Sequence, residues 1–204
     1  MCEHVTLSTI GCASPNRPGA PRPSKVEDMS EPRADAAASA ASNLRRPVLV
    51  VDFGAQYAQL IARRVRELDV YSEIVPNRLT ATELAARRPA AIILSGGPKS
   101  VHVDGAPRLD PEVYELGVPI LGICYGAQLI AHQLGGTVGR GLRGEYGRAH
   151  LTRTAESSLL HADVPAEHDV WMSHFDAITE VPDGFRATAS TPDAPVAVLE
   201  SDSR

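Results

Sequence analysis

Val118-Pro119-Ile120-Leu121-Gly122-Ile123-Cys124-Tyr125-Gly126-Ala127-Gln128 is the stretch whose reading decides the fold. An apolar, strand-like run enters a Gly-x-Cys-x-Gly turn and leaves as a helical pattern anchored by Leu129, Ile130 and Leu134. That layout is a nucleophile elbow, with sulfur where hydrolases usually carry a serine hydroxyl. The flanking glycines allow a sharp strand-to-helix turn and a close approach of substrate to backbone. A free thiol titrates near ~8.5 and is little ionised at neutral pH, so the dipole of the following helix pushes in the useful direction. A lone cysteine after a core strand is more often a small packing residue. Two glycines, the strand before and the helix after reverse that reading for Cys124.

Outward from the elbow, strand and helix alternate. Val48-Leu49-Val50-Val51 and Ala91-Ile92-Ile93-Leu94 are continuous apolar runs, as expected of strands covered on both faces. Between them, Tyr57, Leu60, Ile61, Val65 and Leu68 mark a helical stripe, Val70–Val75 a second strand, and Thr80-Ala81-Thr82-Glu83 a capping box that opens a helix. Val118–Leu121 is the fourth strand, and Gly135-Gly136 ends the elbow helix. The pattern predicts an α/β fold: a mostly parallel sheet with helices on both faces, followed after the elbow helix by short strands and turns. Residues 1–45, rich in Pro, Ser and Ala, predict a disordered leader, with Met29 a candidate start; residues 46–204 form the folded domain.

Composition narrows the classes of function. A net charge of -5 carries no footprint for nucleic acid or an anionic membrane. No apolar run approaches the ~20 residues that span a bilayer, and the N-terminus lacks the layout of a signal peptide. Three cysteines, Cys2, Cys12 and Cys124, do not make a disulfide framework, and a thiol nucleophile fits the reducing cytoplasm. No His/Cys/Asp/Glu cluster has metal-ligand spacing, so no metal is expected. Gly135-Gly136-Thr137-Val138-Gly139 follows a helix and has no Lys, which argues against a phosphate loop.

Ligands of such folds bind beyond the C-terminal ends of the strands. Two segments reach that rim directly, the elbow and Ser95-Gly96-Gly97-Pro98. The N–H groups of Gly97 and Tyr125 are candidates for an oxyanion hole, and the pair of turns points to acyl transfer through a thioester. For the base, His174 is the first choice from the residues and His150 the second. His132 reads as a surface or packing residue, and His4, His102, His161 and His168 sit in loop or leader contexts.

Gly122–Gln128 together with Ser95–Pro98 resembles the class I, triad-type glutamine amidotransferases. Val50-Val51-Asp52-Phe53-Gly54-Ala55-Gln56-Tyr57, Val70-Tyr71-Ser72-Glu73-Ile74-Val75-Pro76 and Val170-Trp171-Met172-Ser173-His174 are similar to the amidotransferase part of the glutamine-hydrolysing GMP synthase family. The resemblance runs from about Pro47 to the end and implies a flavodoxin-like fold. It implies Cys124 as nucleophile on the glutamine amide, Gly97 and Tyr125 as oxyanion donors, and Gln128, Ser173, His174 and Phe175 as substrate-binding residues. It thereby moves His174 from base to pocket. The implied partners are L-glutamine and a synthetase (ATP-pyrophosphatase) domain or subunit that aminates ATP-activated XMP to GMP. ATP and Mg²⁺ belong to that absent domain, with no cofactor in this one.

Two departures stand out. Phe175 occupies the position where the family's pocket motif has Gly, which is expected to narrow the glutamine site. The family's His-Pro-Glu motif, source of the base and its orienting acid, has no counterpart in this sequence. The expectation is a C-terminally incomplete amidotransferase domain with an open sheet edge, inactive by itself. Two other readings stay open: a glutamine-binding or regulatory protein on the same fold, and a hydrolase of another class using His174 or His150.

Overall fold

The computed structural model describes residues 4–7, 46–156 and 164–201, the segments 4–7 and 141–143 by their backbone. In chain order the elements are β1 (His4–Leu7), β2 (Val48–Asp52), α1 (Ala58–Arg66), β3 (Ser72–Pro76), α2 (Ala81–Ala86) and β4 (Ala91–Leu94). A 3₁₀ turn (Pro111–Glu115), β5 (Ile120–Ile123), α3 (Tyr125–Gln133), β6 (Thr137–Arg153), β7 (Glu167–Glu180), β8 (Arg186–Ser190) and β9 (Val198–Ser201) follow. Among the described residues the strands make one nine-stranded sheet in the order β3-β2-β4-β5-β1-β9-β8-β6-β7. Its first half, through β1, is parallel, and from β1 to β7 every pairing is antiparallel.

Alternation along the parallel strands explains the two helical layers. Val50 and Ile93 point to one face and bury Ala58 and Ala62 of α1. Leu49, Val51, Ile92 and Leu94 point to the other, where α2, the 3₁₀ turn and α3 supply Leu84, Val113, Tyr114, Leu129 and Ile130. The capping box at α2 is complete, with the Thr80 side chain accepting from Glu83 N–H and the Glu83 carboxylate accepting from Thr80 N–H. A smaller core of Leu151, Val170, Met172, Ala189 and Val198 lies under the antiparallel half. None of the described helices is long and apolar enough to cross a membrane.

Four details differ from the sequence reading. The stripe on α1 is displaced: Tyr57, Leu60 and Leu68 are exposed, while Ala58 and Ala62 are buried with Ile61 and Val65 beside them. Small side chains bring the helix close to the sheet, so alanines rather than leucines mark its inner face. The segment after α3 builds a long hairpin, 17 residues in β6 and 14 in β7, in place of short strands. His4–Leu7, read as part of a disordered leader, pairs with β5 on one side and β9 on the other; the rest of that segment, with Cys2, Cys12 and Met29, lies outside the described residues, as does His161. With β1 in place β9 is not an open edge, because its backbone N–H and C=O groups are paired on both sides.

The exposure of Leu60 on α1 can be measured against a buried residue of α3. Ile130→Ala, at a fully buried position, is expected to cost about 2–5 kcal/mol in urea unfolding. Leu60→Ala, on the outer side of α1, should stay within about 0.5 kcal/mol of the wild type.

Candidate active site

β5 delivers the chain to Cys124 at the N-cap of α3, with φ 52° and ψ -109°. This is a left-handed conformation that β-carbon-bearing residues adopt only under restraint from their surroundings. The restraint comes from the glycines on either side. A Cβ on Gly126 would collide with the Leu94 carbonyl and come within 2.6 Å of the Leu94 Cβ, and one on Gly122 would lie 2.8 Å from the Ala127 nitrogen. The first turn of α3 therefore packs directly onto the backbone of β4 and β5. Gly126 N–H donates to the Ser95 carbonyl at 3.1 Å and ties the elbow to the turn after β4.

That turn is Ser95-Gly96-Gly97-Pro98. Ser95 is fully buried; its hydroxyl accepts from Phe53 N–H at 3.1 Å and donates to the Gly96 carbonyl at 3.0 Å. A Cβ on Gly96 would stand 3.6 Å from the Cys124 Cβ, and one on Gly97 would press on Phe53 and the Tyr125 ring at 3.1–3.2 Å. Gly97 and Tyr125 are thus brought together beside the thiol. The Tyr125 ring is buried against Phe53, centroids 5.3 Å apart, and its hydroxyl donates to the Pro107 carbonyl. Burial raises the Tyr125 pKa, opposed by the Arg108 charge, so this hydroxyl is a donor at neutral pH.

β7 closes the other side. The Cys124 thiol, reduced and partly exposed, donates to the Ser173 carbonyl at 3.8 Å. Gln128 is buried, and its amide nitrogen donates to the Asp176 carbonyl at 2.7 Å. His174 is buried too. Its Nδ1 lies 3.0 Å from the same carbonyl and its Nε2 lies 3.0 Å from Glu145 Oε2. Phe175 points outward, its ring packed on Gly144 and 5.9 Å from the Arg140 guanidinium.

The remaining histidines are engaged elsewhere. His150 lies on the exposed face of the hairpin, Nδ1 3.2 Å from Asp169 and Nε2 3.9 Å from Glu167. The hydrogen bond from His150, with help from Arg148, lowers the Asp169 pKa. His132 meets His102 edge-on at 5.4 Å, and burial followed by the neighbouring His102 and Arg108 lowers the His132 pKa. Among the described residues, no group of three His, Cys, Asp or Glu is placed to hold a metal ion.

Sequence reasoning missed Glu145. It follows a bulge: Arg140 pairs with Asp176, but the next paired residue on β6 is Glu145, opposite His174. The faint local signal is Gly144, with φ 68°, in front of an acidic residue in an otherwise strand-like run.

Residues 49–204 match the family model described as glutamine amidotransferase class-I. The chain is similar to GMP synthase (glutamine-hydrolyzing) of Corynebacterium diphtheriae, 58% identical over 159 residues, 78% of this chain and 30% of that protein. Its likeness to the Thermobifida fusca protein of the same name is 60% over 153 residues, 75% of this chain and 29% of that one. The chain thus spans about 30% of the length of the curated relatives it matches. Among solved structures, a GMP synthase subunit protein from Thermoplasma acidophilum superposes with a TM-score of 0.63 at 32% identity, covering 78% of this chain and 80% of that one. A glutamine amido transferase from Methylobacillus Flagellatus shares the fold, with TM-score 0.62 at 20% identity, covering 77% of this chain and 66% of that one.

The backbone at Cys124 inverts an ordinary order of stability. Glycine in place of alanine normally costs conformational entropy, yet at φ 52° it removes the clash of the β-carbon. Cys124→Gly is expected to unfold at higher urea than Cys124→Ala, by about 1 kcal/mol or more. The reverse order would mean that the elbow is unstrained.

Proposed function

This chain belongs to the class I glutamine amidotransferases, and on that premise we propose that residues 46–204 are the glutamine-hydrolysing domain of a GMP synthase, with Cys124 as its nucleophile. The observation that carries the proposal is the strained cysteine at the tip of the strand–turn–helix, with the Gly-Gly-Pro turn packed beside it. The names and identities of the relatives support glutamine as the substrate.

In this reading the Cys124 thiolate attacks the side-chain amide carbon of glutamine. The Gly97 and Tyr125 N–H groups receive the developing oxyanion, and ammonia leaves after taking up a proton. The resulting thioester is hydrolysed by water, which returns glutamate and the thiol. Ser173 and Phe175 border the entrance, while Gln128 and His174 act from behind it, since both are buried against the Asp176 carbonyl. The ammonia passes to a synthetase portion, in the cytoplasm, that aminates ATP-activated XMP; ATP and Mg²⁺ act there.

The proton transfers need a base. Both histidines favoured by sequence are held by other groups, His174 by Glu145 and the Asp176 carbonyl and His150 by Asp169. The sequence also contains no His-Pro-Glu tripeptide. We therefore assign glutamine binding and thiol chemistry to these residues and the base to the family's His/Glu pair outside them. Loss of one member of a catalytic triad lowers turnover by several orders of magnitude.

Two measurements separate the readings. The diazoketone analogue of glutamine, which alkylates a thiol with loss of dinitrogen, should add once to this chain at Cys124, and excess L-glutamine should slow the reaction. Intact-mass spectrometry reads this directly, and an unprotected or absent adduct would refute the glutamine site. Glutamate release should stay close to that of a Cys124→Ala control. Release far above that control would mean that the base lies within these residues.

A further inference from the structure

We infer that Glu145 is the positioning residue of the glutamine pocket: by holding His174 through Nε2 it locks the Ser173–Asp176 wall onto the elbow helix. The inference rests on the glutamine reading of the Cys124 site and adds to it a residue outside the elbow, the Gly-Gly-Pro turn and the Ser173–Phe175 segment.

Hydrogen-bond accounting carries it. His174 Nδ1 faces the Asp176 carbonyl at 3.0 Å, and a carbonyl can only accept, so Nδ1 holds a hydrogen. Nε2 faces a carboxylate oxygen at 3.0 Å, which without a proton is again an acceptor. One proton must therefore lie between Nε2 and Oε2. With side chains only 4% and 6% exposed, little water is available to replace either partner. Neither end of the ring is free, and a flip would place C–H edges against two acceptors.

The ring in turn holds backbone. The Asp176 carbonyl that receives Nδ1–H also receives Gln128 N–H from α3 at 2.7 Å. A continuous path therefore runs from Glu145 on β6 through His174 and Asp176 on β7 to the helix that starts at Cys124, whose sulfur is 3.8 Å from the Ser173 carbonyl. The bulge before Glu145 aims the carboxylate at His174. A Cβ on Gly144 would crowd the Phe175 ring at 2.9 Å and the His174 carbonyl at 3.1 Å. Apolar residues of similar volume can fill such a buried space as stably as an ion pair, so adhesion alone does not account for a carboxylate here.

The experiment uses the full 204-residue chain with Glu145→Ala and the near-isosteric Glu145→Gln, checked for folding by circular dichroism. The probes are the diazoketone analogue, which needs the pocket, and iodoacetamide, which needs only an accessible thiol. For Glu145→Ala, diazoketone labelling of Cys124 should slow about tenfold or more, since misplacement by about 1 Å costs on the order of 100-fold. Iodoacetamide labelling should stay within about twofold of the wild type. Glu145→Gln, whose amide can donate to Nε2, should restore most of the diazoketone rate. Nitrogen-15 spectra of the imidazoles at neutral pH should show His174 with a proton at both nitrogens or shared at Nε2, and a plain Nδ1–H tautomer in Glu145→Gln. Wild-type labelling by both probes in a folded Glu145→Ala protein would overturn the inference, and so would a His174 spectrum unchanged in Glu145→Gln. If the wild-type chain is not labelled by the diazoketone, or L-glutamine gives no protection, the glutamine reading fails. The nitrogen-15 result then decides the clamp by itself.

Discussion

The approach of α3 to the backbone of β4 is the constraint on which the rest of the site depends. Gly126 lies so close to Leu94 that no side chain fits between them, and Gly122 stands in the same relation to the first turn of the helix. Only with both positions empty of side chains can the helix begin directly above the sheet. Cys124 is then forced into its left-handed conformation, and the Ser95 carbonyl comes within reach of Gly126 N–H. Strain at the cysteine, offset by the packing of Leu129 and Ile130 beneath the helix, keeps the thiol at the rim rather than in the core.

The antiparallel half of the molecule supplies what the elbow lacks. A thiol at the tip of a turn has no shape around it. Ser173 and its neighbours on β7 give it a wall, which is attached to α3 by the buried Gln128–Asp176 contact and braced inside the hairpin by His174 and Glu145. A fully buried polar contact is a demanding form of attachment. Leaving one partner of a buried hydrogen bond unsatisfied commonly costs about 1–3 kcal/mol, because it stays behind without water or partner. In return it specifies one arrangement, whereas an apolar seam tolerates several.

What is legible in the sequence and what is not divide along the same line. The elbow, the apolar strands β2 and β4 and the capping box at Thr80 are local, since each is a pattern within a few residues whose physical reason is contained in it. The inner face of α1 departs from the periodic stripe because proximity to the sheet selects alanines, and a scale of hydrophobicity weighs leucine more. The β6–β7 hairpin reads as short strands because Gly139, Gly141, Gly144 and Gly147 resemble turn punctuation. Glu145 is invisible for a deeper reason: its partner is set by the length of a bulge, and register across a bulge is not a property of either strand alone. β1 is of the same kind, four residues whose strand character lies in the two strands that flank them.

The strict alternation along β7 bears on how the chain can vary in length over evolution. From Val170 to Asp176 the even-numbered residues are buried and the odd-numbered ones exposed. An insertion or deletion of a single residue within this run would exchange the two sets downstream, turning Ser173 and Phe175 inward and His174 out. Within this run β7 tolerates no single-residue gain or loss, whereas the bulge ahead of Glu145 already takes up a mismatch between the two strands. β7 acts as a ruler whose divisions cannot be moved.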